Sequence, residues 1–272
     1  MGNVYPEKAL QVHVRRPRHL LDVWNEIEPK IRRSGRLVLF TDFDGTLVPI
    51  ARTPGQVRLS SAVGSLLRAI RRKGVLVGIV SGRRLAELRT LAGLRGICYV
   101  GNHGYSIGLQ GMRPRMLITP EQKREMNQVH RELARRLRPL AGIWLEPKEA
   151  SVAVHYRNAE RKKFLRAASI IREVRAAHSH LDLLSGKKVW EFLPDRRISK
   201  WTAMQQVLRQ EGASRQRIVF YLGDDVTDER VFERMRGISV VVGRRRRTAA
   251  RFFLRSPAEV RLFLERFAET AG

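Results

Sequence analysis

The chain has 272 residues, 43% of them hydrophobic, which is enough to bury one large core or two medium ones and argues against a disordered or fibrous protein. With 53 Lys and Arg against 26 Asp and Glu, its formal net charge is +27, a balance that attracts anionic substrates and polyanions. A single cysteine, Cys98, excludes an intramolecular disulfide and suits a reducing compartment, and no apolar run approaches the roughly 20 residues of a membrane span.

At the N-terminus, MGNVYPEKAL lacks the apolar core of a signal peptide, and Pro6 stands where a myristoylation pattern at Gly2 needs Ser or Thr. A cytoplasmic protein without membrane attachment is the expectation. A helix is predicted around Leu20 to Ile31, then an apolar strand, RLVLF, that runs into TDFDGT. The next helix has clear ends. Ser60 and Ser61 are cap candidates, Val63, Leu66, Leu67 and Ile70 recur at helical spacing, and Gly74 stops it. The strands VLVGIV and ICYV follow, and IVFYL and ISVVV come late in the chain. Short apolar strands alternating with amphipathic helices predict an α/β fold: a Rossmann-like parallel-sheet core with helices on both faces. The last helix opens on SPAE, with Ser256 to cap, Pro257 in the first turn and Glu259 to complete a capping box.

The middle of the chain breaks that rhythm. From residue 113 to 193 it reads helix, one or two strands, helix and hairpin, with Val152, Val154 and Tyr156 on one strand face and Ser151, Ala153, His155 and Arg157 on the other. That alternation suits an antiparallel sheet covered on one side. The economical organisation is a core of residues 1–112 and 194–272 carrying an inserted α+β cap at 113–193, with hinges near Arg113 and Pro194.

Ligands of open α/β sheets bind beyond the carboxyl ends of the strands. Four of the five predicted strands end in compact polar residues with glycines: DFDG, SGRR, GNHG and GDDVTDE. Asp42 and Asp44, two apart on an extended segment, face the same side about 6.6 Å apart. Joined by Asp224, Asp225 and Asp228 they repel one another unless a cation neutralises them, and an all-oxygen set suits Mg²⁺. Such an ion completes its shell with substrate phosphate. Ser81, at the helix start after IVSG, and Lys200 are candidates to hold the phosphate oxygens.

These residues carry a resemblance. DFDGT, Ser81, Lys200 and GDDVTDE, in that order, resemble the four motifs of the haloacid dehalogenase superfamily of phosphotransferases. Within it, DFDGTLVPI, SGR, GNHG, LEPK, VHYR, GKKVWEFLP and FYLGDDVTDERVF resemble the trehalose-6-phosphate phosphatase family over about residues 35 to 267. The resemblance implies hydrolysis of trehalose 6-phosphate, with Asp42 as nucleophile and Asp44 as general acid and base. It implies that Ser81 and Lys200 stabilise the transferring phosphoryl oxygens and that Asp42, Asp44 and Asp224, with Asp225 or Asp228, hold Mg²⁺. It places sugar contacts at Glu146, Lys148 and Glu191 of the cap and at Arg83, Asn102 and His103 of the core. A trehalose-phosphate synthase partner is left open by it.

Three departures bear on the sugar. Ser106 stands where the family has Glu, Leu193 where it has Arg, and Trp201 follows Lys200 where it has Gly. Ser106 and Leu193 keep another phosphorylated glycoside, glucosylglycerate phosphate or sucrose phosphate, as the alternative substrate. A different class of function, an Arg-rich module for nucleic acid or another polyanion, rests on the charge and on GRRRRT at 243–248. No aromatic residues interleave that run for base stacking, the basic residues are spread over the helices, and a binding module has no need of the Asp42, Asp44, Lys200 and Asp224 set.

Overall fold

The computed structural model describes residues 16–50, 57–186, 188–212, 217–243 and 247–271. The N-terminal MGNVYPEKAL stretch and Arg244 to Arg246 of the arginine run lie outside the described residues. In chain order the elements are β1 (Arg18–His19), α1 (Trp24–Arg33), β2 (Arg36–Asp42), α2 (Ser61–Arg72), β3 (Leu76–Val80), α3 (Leu85–Ala92), β4 (Cys98–Gly101), β5 (Ser106–Gly108) and β6 (Arg115–Met116). There follow α4 (Pro120–Leu137), β7 (Trp144–Pro147), β8 (Val152–His155), α5 (Arg161–Ala177), β9 (Asp182–Gly186) and β10 (Val189–Leu193). The chain closes with α6 (Lys200–Gln210), β11 (Arg217–Gly223), α7 (Val226–Arg234), β12 (Ile238–Val242), β13 (Phe252–Leu254) and α8 (Pro257–Thr270).

Two compact units result. One is Leu117–Ile198; the other combines the described residues up to Met116 with those from Ser199 onward. In the larger unit a nine-stranded sheet runs β1-β13-β12-β11-β2-β3-β4-β5-β6. Every pairing from β1 to β4 is parallel, whereas β4, β5 and β6 pair antiparallel. Because β6 still pairs with β5, the core sheet extends to Met116. The central strand β2 is buried along Leu37 to Asp42, as a parallel strand covered on both faces must be. Its Leu37 and Leu39 join Val77 and Ile79 of β3, Phe220 and Leu222 of β11, and Phe263 and Phe267 of α8 in one apolar cluster.

Helix starts are set by side-chain caps. Ser60 Oγ accepts the Val63 N–H at 3.3 Å, and Ser199 with Thr202 forms a reciprocal capping box at the start of α6. The expected cap of α8 differs. Ser256 makes no capping hydrogen bond, and Glu259 reaches past it to the Arg255 N–H at 2.7 Å, the Arg255 guanidinium at 2.7 Å and His19 Nε2 at 2.9 Å. Two cationic or polar partners upstream outcompete the single N–H that a capping box would offer.

The smaller unit carries an antiparallel sheet in the order β7-β8-β10-β9. Val152, Val154, Trp190 and Phe192 pack on Met126, Val129 and Leu133 of α4 and on Ala167, Ile171 and Val174 of α5, with Tyr156 against the same cluster. The predicted alternation therefore holds, and the other sheet face keeps its polar residues. Among the described residues no helix is long and apolar enough to cross a membrane.

Candidate active site

Asp42 is the last residue of β2, paired in register with Val80 of β3, so its side chain leaves the sheet at the carboxyl end beside Ser81. It is 4% exposed. Lys200, the first residue of α6 and equally buried, donates from Nζ to Asp42 Oδ1 at 2.7 Å and to Asp228 Oδ1 at 2.7 Å. Asp228 is fully buried and receives two further donors. The Tyr221 hydroxyl reaches Oδ1 at 2.6 Å and the Asp225 N–H reaches Oδ2 at 2.9 Å.

One ligand oxygen each from Asp42, Asp224 and Asp228 can be chosen so that all three lie within 4.8 Å of one another. Asp42 and Asp228, the two buried members, share the single ammonium of Lys200. Burial pushes the Asp42 carboxyl well above its ordinary range; the Lys200 charge pulls it back, and Asp228 and Asp224 push it further up. Burial also disfavours the charged form of Lys200, but Asp228 and Asp42 outweigh it and hold the ammonium protonated. Three carboxylates able to turn one oxygen each toward a common centre fit a hard divalent cation.

The turn after β2 brings a backbone against this group. Gly45 has φ +80°, and a Cβ placed there would lie 2.1 Å from Asp224 Oδ2. Only glycine allows the DFDG turn and the Asp224 carboxylate to share that space. Gly45→Ala is therefore expected to displace Asp224 or the turn, losing about 2 kcal/mol of stability and most activity, as urea unfolding and a phosphate-release assay would show. The neighbouring Thr46 hydroxyl is buried and has no hydrogen-bond partner among the described residues.

The other sequence-predicted residues take distinct places. Asp44 is not part of the three-carboxylate group. Both its oxygens are held by the Arg83 fork, Nε to Oδ2 at 2.6 Å and Nη2 to Oδ1 at 2.7 Å, while Arg83 Nη1 also bonds Glu87. Asp225 caps α7, its Oδ1 accepting the Val226 N–H at 2.6 Å, and is likewise outside that group. Ser81 is buried, accepting the Arg83 N–H on Oγ at 3.2 Å. Asn102 and His103 both have positive φ, 49° and 55°, a strained pair of the kind that collects at functional loops. Their turn is locked by Asn102 N–H to the Arg83 carbonyl at 2.7 Å and His103 N–H to the Ser81 carbonyl at 3.1 Å. Gly104 lets this loop touch the start of α6, since a Cβ there would sit 2.4 Å from the Ser199 carbonyl oxygen.

In the smaller unit Lys148 Nζ donates to both oxygens of Glu191 at 3.1 and 3.0 Å, and Ser151 Oγ donates to the same carboxylate at 2.5 Å. Glu146 bonds His155 Nε2 at 3.0 Å, a contact that, against the opposing effect of burial, holds its carboxyl below the usual range.

A family model described as trehalose-phosphatase matches residues 40–258. The chain belongs to the trehalose-phosphatase family. The trehalose-phosphate phosphatase of Mycobacterium bovis (strain BCG / Pasteur 1173P2) is 34% identical over 239 residues, which cover 85% of this chain and 61% of that protein. The trehalose-phosphate phosphatase of Mycobacterium ulcerans (strain Agy99) is 31% identical over 264 residues, covering 92% of this chain and 67% of the relative. The chain thus spans about three fifths of the length of the first of these relatives. In fold it is similar to the C-terminal domain of the Candida albicans trehalose-6-phosphate phosphatase, with a TM-score of 0.79 at 20% identity over 94% of this chain and 99% of that one. The Aspergillus fumigatus trehalose-6-phosphate phosphatase gives 0.68 at 22% identity over 90% and 97%.

Two of the departures from the trehalose-phosphatase pattern have a structural place. Ser106 is fully buried, its Oγ accepting from Asn102 Nδ2 at 2.7 Å and donating to Met116 Sδ at 3.0 Å, so it supports the strained Asn102 turn from inside. Leu193 is buried at the end of β10 beside Asp182. Tyr221 and Ser151 are the site-supporting residues that the sequence pattern did not single out. Tyr221 had one usable signal, a hydroxyl in the middle of an apolar strand that must be satisfied internally.

Proposed function

We propose that this protein is a Mg²⁺-dependent phosphatase that hydrolyses trehalose 6-phosphate to trehalose and phosphate through an aspartyl-phosphate on Asp42. The observation that carries the reading is the buried Asp42–Lys200–Asp228 chain beside Asp224 at the carboxyl end of β2. Asp42 attacks phosphorus, and the bond to the sugar oxygen breaks as that oxygen takes a proton from Asp44. Asp44 then takes a proton from water, which attacks the aspartyl-phosphate and returns Asp42 as a carboxylate. In its present pairing both oxygens of Asp44 accept from the Arg83 fork, and serving as the acid requires one of them to carry a proton in place of an Arg83 bond. Lys200 holds Asp42 in place and offers its ammonium to the developing phosphoryl charge, with Ser81 at the next strand end. Asp42 and Asp224 would hold Mg²⁺, with Asp228 occupied by Lys200, Tyr221 and the Asp225 N–H. Mg²⁺ bound there would offset the charge of those carboxylates and of the substrate phosphate. Glu146, Lys148 and Glu191 of the smaller unit are the candidate sugar contacts there, and Asn102 and His103 those of the larger unit. The buried, reduced Cys98 agrees with a cytoplasmic setting.

The buried Ser106 in place of Glu favours a second reading, in which the glycoside is glucosylglycerate phosphate or sucrose phosphate. Purified protein assayed for Mg²⁺-dependent phosphate release on a panel of sugar phosphates decides between them. Preference for trehalose 6-phosphate is the expected result. Preference for another glycoside overturns the substrate, and no release from any, with salt-sensitive binding to RNA or DNA, overturns the enzyme.

A further inference from the structure

The polar face of the four-stranded sheet holds an aromatic residue that no motif accounts for. Trp144 begins β7, the edge strand, and is 51% exposed, although large aromatic side chains normally bury most of their area. It does not lie loose. Its indole stacks on the His155 ring of β8, its cross-strand partner, with centroids 3.8 Å apart and planes 7° from parallel. His155 is itself fixed by Glu146 at 3.0 Å, so one indole face is pinned by an oriented imidazole and the opposite face is left open.

Register puts this stack beside hydrogen-bonding groups. Trp144 pairs with His155; two residues along, Glu146 pairs with Ala153, which pairs with Glu191 on its other side. Trp144, Glu146, His155 and Glu191 therefore share one sheet face, opposite the apolar face packed by α4 and α5. Ala153 keeps the row between the two carboxylates low. The Glu191 carboxylate is held by Lys148 and Ser151. A flat apolar surface flanked by carboxylates and an ammonium matches a pyranose ring, which presents a C–H face to an aromatic plane and hydroxyls to charged groups at its edge.

Resting on the phosphatase reading above, we infer that the Trp144–His155 stack is the platform for the glucose ring that does not carry the phosphate, making Trp144 a specificity-determining residue. The platform discriminates two-ring from one-ring esters and contributes nothing to the phosphoryl chemistry itself.

The test compares wild type, Trp144→Ala and Trp144→Phe on trehalose 6-phosphate and on p-nitrophenyl phosphate, alongside saturation-transfer NMR with free trehalose. For Trp144→Ala, kcat/KM on the disaccharide should fall about tenfold more than on the small ester, carried by KM, and Trp144→Phe should recover most of it. Saturation transfer to trehalose should vanish in the Ala variant and return in the Phe variant. Equal losses on both substrates, or an unaffected disaccharide, overturn the platform. If wild type releases no phosphate from trehalose 6-phosphate, the functional reading fails, and the NMR arm still decides this one: trehalose bound by the Ala variant, or by no form of the protein, refutes it.

Discussion

Asp42→Asn is expected to cut phosphate release by about 10⁴-fold or more and to leave the protein at least as stable as wild type. Both halves follow from one geometry. The amide cannot attack phosphorus, and removing a nucleophile that works as one unit with its neighbours costs nearly the whole chemical acceleration. The same carboxyl sits in a pocket where burial and two further carboxylates push it well above its ordinary range. A carboxyl raised in the folded state penalises folding at any pH at which it is ionised, above its unfolded value, so a neutral amide removes that penalty at neutral pH. Thermal unfolding in a chelator at pH 7 and a phosphate-release assay together check the prediction. An inactive variant with a much lower Tm would mean that Asp42 is a structural anchor.

Lys200→Met should be damaging on both counts. Lys200 is the only cation bonded to Asp42 or Asp228 among the described residues, at 2.7 Å to each, and an apolar side chain of similar length leaves those carboxylates buried without their countercharge. Breaking a buried ion pair from one side typically costs about 3–5 kcal/mol, and that loss is expected in urea unfolding. Lys200→Met with Asp228→Asn should recover a good part of the stability, because the second change removes one orphaned charge, while activity stays absent. A double variant no more stable than the single would show that repulsion is not the cause.

The sequence made the sheet legible where physics repeats. RLVLF, VLVGIV, ICYV, IVFYL and ISVVV all became parallel strands, because an apolar run between turn residues has few other places to go. Arg18–His19, Arg115–Met116 and Phe252–Leu254 were not read as strands, since two or three residues carry no period; their pairing is decided by what lies beside them. Asp42, Lys200 and Asp224 were found through spacing and order, and the structure brings the three side chains from residues up to 182 positions apart into one region. Partner choice was not legible. That Asp44 goes to Arg83, that Asp225 caps α7, and that Tyr221 and Lys200 share one oxygen of Asp228 depend on angles between elements, which no local pattern encodes.

Both edges of the nine-stranded sheet are two-residue strands, each bearing an arginine, Arg18 on one side and Arg115 on the other. So short a border offers another chain almost nothing to hydrogen-bond to, and a charge at each end discourages the attempt. Directly behind Arg18–His19 lies the strand Phe252–Leu254. A fragment trimmed to the family span, residues 40–258, would strip off that border together with α1 and nearly all of α8, including Phe263 and Phe267. It would expose an open aromatic edge over a hollowed core. Such a fragment should come out of expression as aggregate, however complete its catalytic motifs look on paper.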